Sequence, residues 1–262
     1  MKLEVPVSNR ASHCPDLGAG QIVLVFQGGG ALGAYQAGVY QAMHKTGIEP
    51  DWVIGTSIGA INASLIAGNK PQDRLTKLRQ FWRTVEHGPA VEALARLPLL
   101  GPVLRNWATI SAGTGGFFEA NPLALLGPHI PLTSKTAGYY SMRPLEATLE
   151  DLIDFSLTEG GAARLTVGAA NVGTSEMRYF GSRDLKITAK HVIASGALPP
   201  AFPAARIDGE LYWDGGILSN TPVEVVFDDN PRRDSIVFAV HVWNPKGAEP
   251  ETISVWSRVP GR

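Results

Sequence analysis

The pattern of apolar and polar positions divides the chain into strand-sized runs, several of them followed by a glycine turn and a helical stretch. Ile22-Val23-Leu24-Val25-Phe26 is an unbroken apolar run rich in β-branched residues. Runs of this kind belong to strands covered on both faces, as in parallel sheets. Gln27 and Gly28-Gly29-Gly30 end it. Leu32, Tyr35, Val39 and Met43 then recur every three or four residues, which predicts one apolar face of a helix that Gly47 terminates. Gly33, Ala34, Ala37 and Gly38 lie on its other faces, where another element can approach closely. A second unit repeats the plan: Trp52-Val53-Ile54 as a short strand, Gly55-Thr56-Ser57-Ile58-Gly59 as a turn, and Ala60 to Ala67 as a small-residue helix stopped by Gly68. Two strand–turn–helix units in tandem predict an α/β sheet.

Farther along, Leu75, Leu78 and Trp82 mark a helix over residues 71–87. Six prolines and the flexible Gly113 to Gly116 loosen residues 88–138, which read either as a cap over the core or as a plain surface insertion. Pro144 to Phe155 predicts a helix with proline in its first turn. Leu165 to Ala170 and Met177 to Phe180 read as strands, and Lys190 to Ser195 as helical. Leu211 to Trp213 reads as a strand tip before Asp214-Gly215-Gly216, and Ile236 to Val242 as a further buried strand. No repeat and no hydrophilic linker interrupts residues 21–245, which therefore read as one domain. Residues 1–20 read as an irregular leader. Residues 246–262 read as a tail with no evident closing element, consistent with a truncated C-terminus.

Composition narrows the function classes. Apolar residues make up 44% and charged residues 18%, enough for a packed core and against disorder. The net charge of −1 and the lack of a basic stripe disfavour nucleic acid. A single cysteine, Cys14, allows neither an internal disulfide nor a cysteine-based metal cluster, and fits a reducing, cytoplasmic compartment. The apolar runs are strand-sized and no apolar leader is visible, so the chain reads as soluble or at most peripheral at a membrane.

Three glycine-marked segments hold the candidate chemistry. Gly28 to Gly33 fits G-x-G-x-x-G between a strand and a helix. It reads as a dinucleotide fingerprint, as an oxyanion hole whose backbone N–H groups face a developing negative charge, or as a turn that needs glycine for its backbone alone. The dinucleotide reading wants an acidic residue after the second strand, about 20 residues on. Asp51 is near that distance but precedes its strand, at the wrong end of the sheet. Gly55-Thr56-Ser57-Ile58-Gly59 is G-x-S-x-G at a strand-to-helix turn, the geometry that exposes a serine oxygen at the top of a sheet. Its alternative is a helix start capped by Thr56 or Ser57. A serine nucleophile needs a base. Asp214 followed by His241 has the chain order of a Ser-Asp-His triad, whereas Asp214 alone serves if it lies beside Ser57 and is desolvated by Tyr212 and Trp213. The plain alternative for Asp214-Gly215-Gly216 is a turn.

Taken together and in this order, the three segments resemble the patatin-like phospholipase family. Ala194-Ser195-Gly196-Ala197-Leu198-Pro199 and Asn220-Thr221-Pro222 are similar to further stretches of that family, and the resemblance spans roughly residues 20 to 242. It implies a three-layer α/β/α fold with a mainly parallel central sheet. It also implies lipid acyl hydrolysis (phospholipase A, lysophospholipase or carboxylesterase type) through a Ser-Asp dyad and an acyl-enzyme, without metal or cofactor. By the same resemblance Ser57 is the nucleophile and Asp214 the general base. Gly28, Gly29 and Gly30 form the oxyanion loop, with the Gly29 and Gly30 N–H groups on the oxyanion. Gly33, Gly55, Gly59, Gly215 and Gly216 are motif glycines. The implied partner is a lipid or fatty acyl ester. The family's glycine loop often carries Arg or Lys where this chain has Leu32. Two other readings remain beside it: a dinucleotide-binding oxidoreductase, and a catalytically silent lipid-binding module.

Overall fold

The computed structural model describes residues 20–85, 116–121, 133 and 136–243. The leader, most of the stretch 88–138 and the tail, together with Cys14, His13, His87 and His129, lie outside the described residues. The elements are β1 (Gln21–Phe26), α1 (Gly33–Lys45), β2 (Trp52–Thr56), α2 (Ile58–Ala67) and α3 (Pro71–Thr84), then β3 (Glu119–Ala120), β4 (Tyr140–Ser141), α4 (Arg143–Leu152), β5 (Arg164–Asn171) and β6 (Met177–Gly181), and finally α5 (Ala189–Gly196), β7 (Ala205–Ile207), β8 (Glu210–Asp214), α6 (Glu224–Phe227) and β9 (Ser235–Val240). The large sheet has seven strands in the order β7-β8-β5-β2-β1-β9, with β6 also pairing β5. Its centre, β9-β1-β2-β5, is parallel, and β6, β7 and β8 extend it in antiparallel pairings.

Side-chain alternation divides the core. Leu24, Phe26, Val53, Leu165 and Val167 point to the face covered by α1 to α5. Val23, Val25, Trp52 and Ile54 point to the other, where α6 supplies Val225. The sheet is thus flanked by helices on both sides, thickly on one. Every residue of α2 is buried. Small residues make this close packing feasible: a Cβ on Gly59 would stand 2.4 Å from the Phe26 carbonyl oxygen, and one on Gly55 would meet the Gly59 backbone at 2.3 Å.

Three expectations change. The Leu32/Tyr35 side of α1 is not its buried face. Gly33, Gln36, Tyr40 and Met43 are buried, while Leu32 and Tyr35 are exposed. The reason is local: a bare Gly33 admits Ile58, and buried Gln36 is fully engaged, donating from Nε2 to the Gln27 carbonyl (2.6 Å) and accepting from Asn62 (2.9 Å). Among the described residues β9 pairs only with β1, and Val237 on it is exposed, so its apolar run does not mean burial on both faces. The helix expected over 144–155 ends at Leu152, and Phe155–Thr158 is a separate 3-10 turn whose start Asp154 caps by accepting from the Ser156 N–H (3.0 Å).

Candidate active site

Ser57 stands where β2 turns into α2, with φ +57° and ψ −127°, a backbone conformation that a side-chain-bearing residue rarely adopts. The strain is held by its surroundings. The Ser57 N–H donates to Ser195 Oγ (2.9 Å), and Ser195 Oγ donates in turn to the Gly168 carbonyl on β5 (2.6 Å). Ser195 is wholly buried. The turn also leaves Ser57 at the N-terminus of a ten-residue helix, whose aligned peptides favour negative charge there.

Strand pairing brings Asp214 to the same spot. β2 pairs β5 in parallel up to Thr56↔Gly168, and β8 pairs β5 in antiparallel starting at Asp214↔Ala169. β6 overlaps both registers on β5 and so occupies the opposite edge, which leaves β2 and β8 on one shared edge. Asp214 therefore arrives just beyond the end of β2, beside Ser57. The close fit needs Gly215, whose missing side chain would meet the Gly168 carbonyl oxygen at 2.6 Å. Asp214 is only 3% exposed, and its Oδ1 accepts from the Gly216 N–H at 2.7 Å. Burial raises its carboxyl above the ordinary aspartate range, while hydrogen bonding with the Ser57 side chain and the Gly216 N–H pulls the other way.

The glycine loop lies alongside. A Cβ on Gly28 would be 3.0 Å from the Ser57 Cβ and 2.3 Å from Asn220 Oδ1. The Gly28 N–H, however, is given to the Asn220 carbonyl (3.0 Å), and the Gly28 carbonyl accepts from Asn220 Nδ2 and Trp243 Nε1, both at 3.1 Å. Gly28 is thus a braced position whose N–H is already engaged. Gly30 has φ +56° with open space around it, so glycine is required there by conformation and not by contact.

Behind the loop runs a polar network that sequence reasoning missed. Gln27 Oε1 accepts from the N–H groups of Val242 (2.8 Å) and Trp243 (3.1 Å), and Gln27 Nε2 donates to Thr221 Oγ1 (2.8 Å). Asn62 Nδ2 donates to the Gly33 carbonyl (2.9 Å), and Asn62 Oδ1 accepts from Trp82 Nε1 (3.1 Å). The available signal was the presence of Gln36 and Asn62 in otherwise small or apolar helical stretches, because buried polar side chains require partners.

The histidines lie elsewhere. His44 pairs with Glu49, His191 caps α5 through Thr188, and His241 is exposed beyond β9. None of these three hydrogen-bonds Ser57 or Asp214 among the described residues. Desolvation keeps His191 below the ordinary histidine value. Asp51 accepts from the Ile22 N–H (2.7 Å) at the amino end of β1, remote from the glycine loop. Among the described residues no group of three His, Cys, Asp or Glu is placed to hold a metal, and no helix is long and apolar enough to cross a membrane.

Known proteins resemble this chain over most of its length. The family described as patatin-like phospholipase matches residues 24–227. Patatin-like phospholipase domain-containing protein ZK370.4 of Caenorhabditis elegans is 26% identical over 206 residues, which covers 78% of this chain and 12% of that protein. Patatin-like phospholipase domain-containing protein 6 of Homo sapiens is 26% identical over 212 residues, with the same two shares. Triacylglycerol lipase ptl3 of Schizosaccharomyces pombe is 37% identical over 65 residues, 25% of this chain and 14% of that protein. The chain therefore spans a small part of the length of these relatives. Among solved structures, VipD from Legionella pneumophila superposes with a TM-score of 0.41 at 18% identity, covering 77% of this chain and 47% of that one. The matched span runs from within β1 to the last residue of α6 and encloses the glycine loop, Ser57 and Asp214: the chain belongs to the patatin-like phospholipase family.

Proposed function

We propose that this chain is a lipid acyl hydrolase that works through Ser57 and Asp214. The observation that carries the reading is the environment of Asp214, a buried carboxylate that β8 delivers beside Ser57, whose Oδ1 accepts from the Gly216 N–H and whose ionised form the Ser57 side chain favours. A carboxylate kept from water is a stronger base than an exposed one. Asp214 takes the proton of the Ser57 hydroxyl as Oγ attacks the ester carbonyl carbon. The Gly29 and Gly30 N–H groups, which hold no partner among the described residues, stabilise the tetrahedral oxyanion. One such donor is worth about 10²–10³ in rate. Collapse of the intermediate expels the alcohol, which receives the proton from Asp214 and leaves an acyl-Ser57 ester. Asp214 then deprotonates water, which releases the fatty acid and restores Ser57.

The fold supports this order of events because the base is delivered by a strand and the nucleophile by a strained turn, both fixed against β5. A Ser-Asp-His triad through His241 is disfavoured by the exposed position of that histidine. The test is labelling by a fluorophosphonate together with hydrolysis of p-nitrophenyl butyrate. Ser57→Ala is expected to abolish both while keeping the fold, and His241→Ala to leave both nearly intact. Undiminished labelling of Ser57→Ala sinks the assignment. Inert wild-type protein that still binds lipid indicates a silent lipid-binding module instead.

A further inference from the structure

Around Ser57, the loops at the carboxyl ends of the strands are free of charge to an unusual degree. Residues 27–40, 194–205 and 215–223 contain no Asp, Glu, Lys or Arg, although these types form 18% of the chain. They do contain large apolar side chains turned to solvent. Leu32, Tyr35, Leu198, Ile217, Leu218 and, just after β9, Trp243 are each between 38% and 64% exposed. All six sit on the segments that build the candidate site. Leu32 follows the oxyanion loop and Tyr35 is on the first turn of α1. Leu198 follows Ala197, whose carbonyl accepts from the Asp214 N–H (3.0 Å). Ile217 and Leu218 follow Gly216, and Trp243 donates to the Gly28 carbonyl. Isolated exposed apolar residues are ordinary, but a cluster around one opening marks an interaction surface.

We propose that this rim is the surface by which the protein docks on a lipid layer, with the apolar side chains inserted among the acyl chains and Ser57 facing the layer. The proposal rests on the hydrolase reading of the same site and adds the physical state of its substrate: ester presented in a condensed, uncharged or zwitterionic lipid surface. Three observations select this occupant. A protein partner or a second copy seated on the rim would close the opening that the hydrolase reading requires. Protein interfaces also carry a polar, hydrogen-bonding rim, whereas ionisable groups are expensive in contact with acyl chains. Finally, among the described residues these rim segments offer anionic head groups no counter-charge, so attachment comes from apolar insertion and depends little on salt.

The experiment uses Ser57→Ala protein, so that the surface is not consumed, and measures flotation with phosphatidylcholine vesicles. Binding is expected, changing less than about threefold between 0.05 and 0.5 M NaCl. The triple variant Tyr35→Glu, Leu198→Glu and Leu218→Glu is expected to lower it about tenfold or more, because each substitution places a charge at the acyl layer. With Ser57 retained, the same triple variant should hydrolyse water-soluble p-nitrophenyl butyrate within about twofold of wild type while losing activity on vesicles. Should the triple variant fail to fold, Tyr35→Glu alone, at the most exposed of the six positions, carries the test with a smaller drop. Absent binding, binding unchanged by the variants, or binding only to anionic vesicles that salt abolishes each overturns the proposal. The two readings fail separately: vesicle binding without soluble-ester hydrolysis defeats only the hydrolase reading, and soluble-ester hydrolysis without vesicle binding defeats only the docking.

Discussion

The two ends of the sheet differ sharply in what they bury and what they show to solvent. At the carboxyl end, glycine turns, a strained serine and a desolvated carboxylate meet inside loops almost free of charge. At the amino end, an open cleft of about 720 Å³ is lined by residues that include Asp51, Glu159, Arg164, Arg183, Lys186 and Arg233. There the Asp229 side chain, only 4% exposed, accepts from Arg164 (2.7 Å) and Arg183 (3.1 Å), and the Arg164 guanidinium lies 3.8 Å over the Trp52 ring. Both ends hold a buried aspartate, yet with opposite consequences. Asp229 is matched by cations and is structural. Asp214 has no cation among its partners in the described residues, so its charge is costly and its carboxyl holds its proton more tightly than an ordinary aspartate. The lesson is that burial and partner choice separate the carboxylate proposed as the base from a structural one, although the two residues are identical in sequence terms.

The comparison is tested most severely at Asp214. Asp214→Asn is expected to lower kcat on p-nitrophenyl butyrate by about 10³-fold or more, since a general base contributes about 10²–10⁴. The same change should raise stability. A carboxyl raised by folding holds its proton more tightly in the native than in the unfolded state. Its ionisation therefore costs stability, from the unfolded value of about 3.9 upward, and the cost is complete above the folded value. Asp214→Asn should consequently melt higher than wild type at pH 7, with the difference vanishing as the pH falls below the unfolded aspartate value. In wild type, kcat should fall as acid protonates Asp214, with a midpoint above the ordinary aspartate value. A variant that melts lower at pH 7 would contradict this account of the carboxyl's burial.

The effect expected next in size is at Ser195. Ser195→Ala removes the bridge between the Ser57 N–H and the Gly168 carbonyl, leaves both buried groups unpaired, and should cost about 1–3 kcal/mol of stability. Misplacement of Ser57 should reduce kcat by about 10²-fold. The acid limb of the pH profile should not move, because Asp214 keeps its surroundings. At the other end of the sheet, Asp229→Ala strands Arg164 and Arg183. It should cost about 2–3 kcal/mol in chemical denaturation, with kcat of the folded enzyme within about twofold of wild type. A large loss of kcat in Asp229→Ala would erase the functional distinction between the two ends.

Much of the site was legible in the chain. The G-x-S-x-G turn, the glycine loop and the Asp-Gly-Gly segment each carried a local mechanism, and their order pointed to one family. The α1 face was misjudged because the periodicity of Leu32 and Tyr35 competes with a glycine contact and a Gln–Asn hydrogen bond that involve residues far away in sequence. Ser195 and Asn220 stood in family-like stretches without a role, since their partners, Ser57 N–H and Gly28, are brought in by the fold.

The sequence by itself determined the repeated strand–turn–helix plan, because apolar periodicity and glycine placement are local properties of the chain. It also determined the residue types available for acyl transfer. Only the tertiary structure decided which groups meet. Two strands sharing one edge of β5 put Asp214 beside Ser57, and a carbonyl of Asn220 engaged the Gly28 N–H. Burial alone then raised the Asp214 carboxyl above the ordinary aspartate range. Contacts between residues more than a hundred positions apart depend on register and packing, which no local pattern encodes.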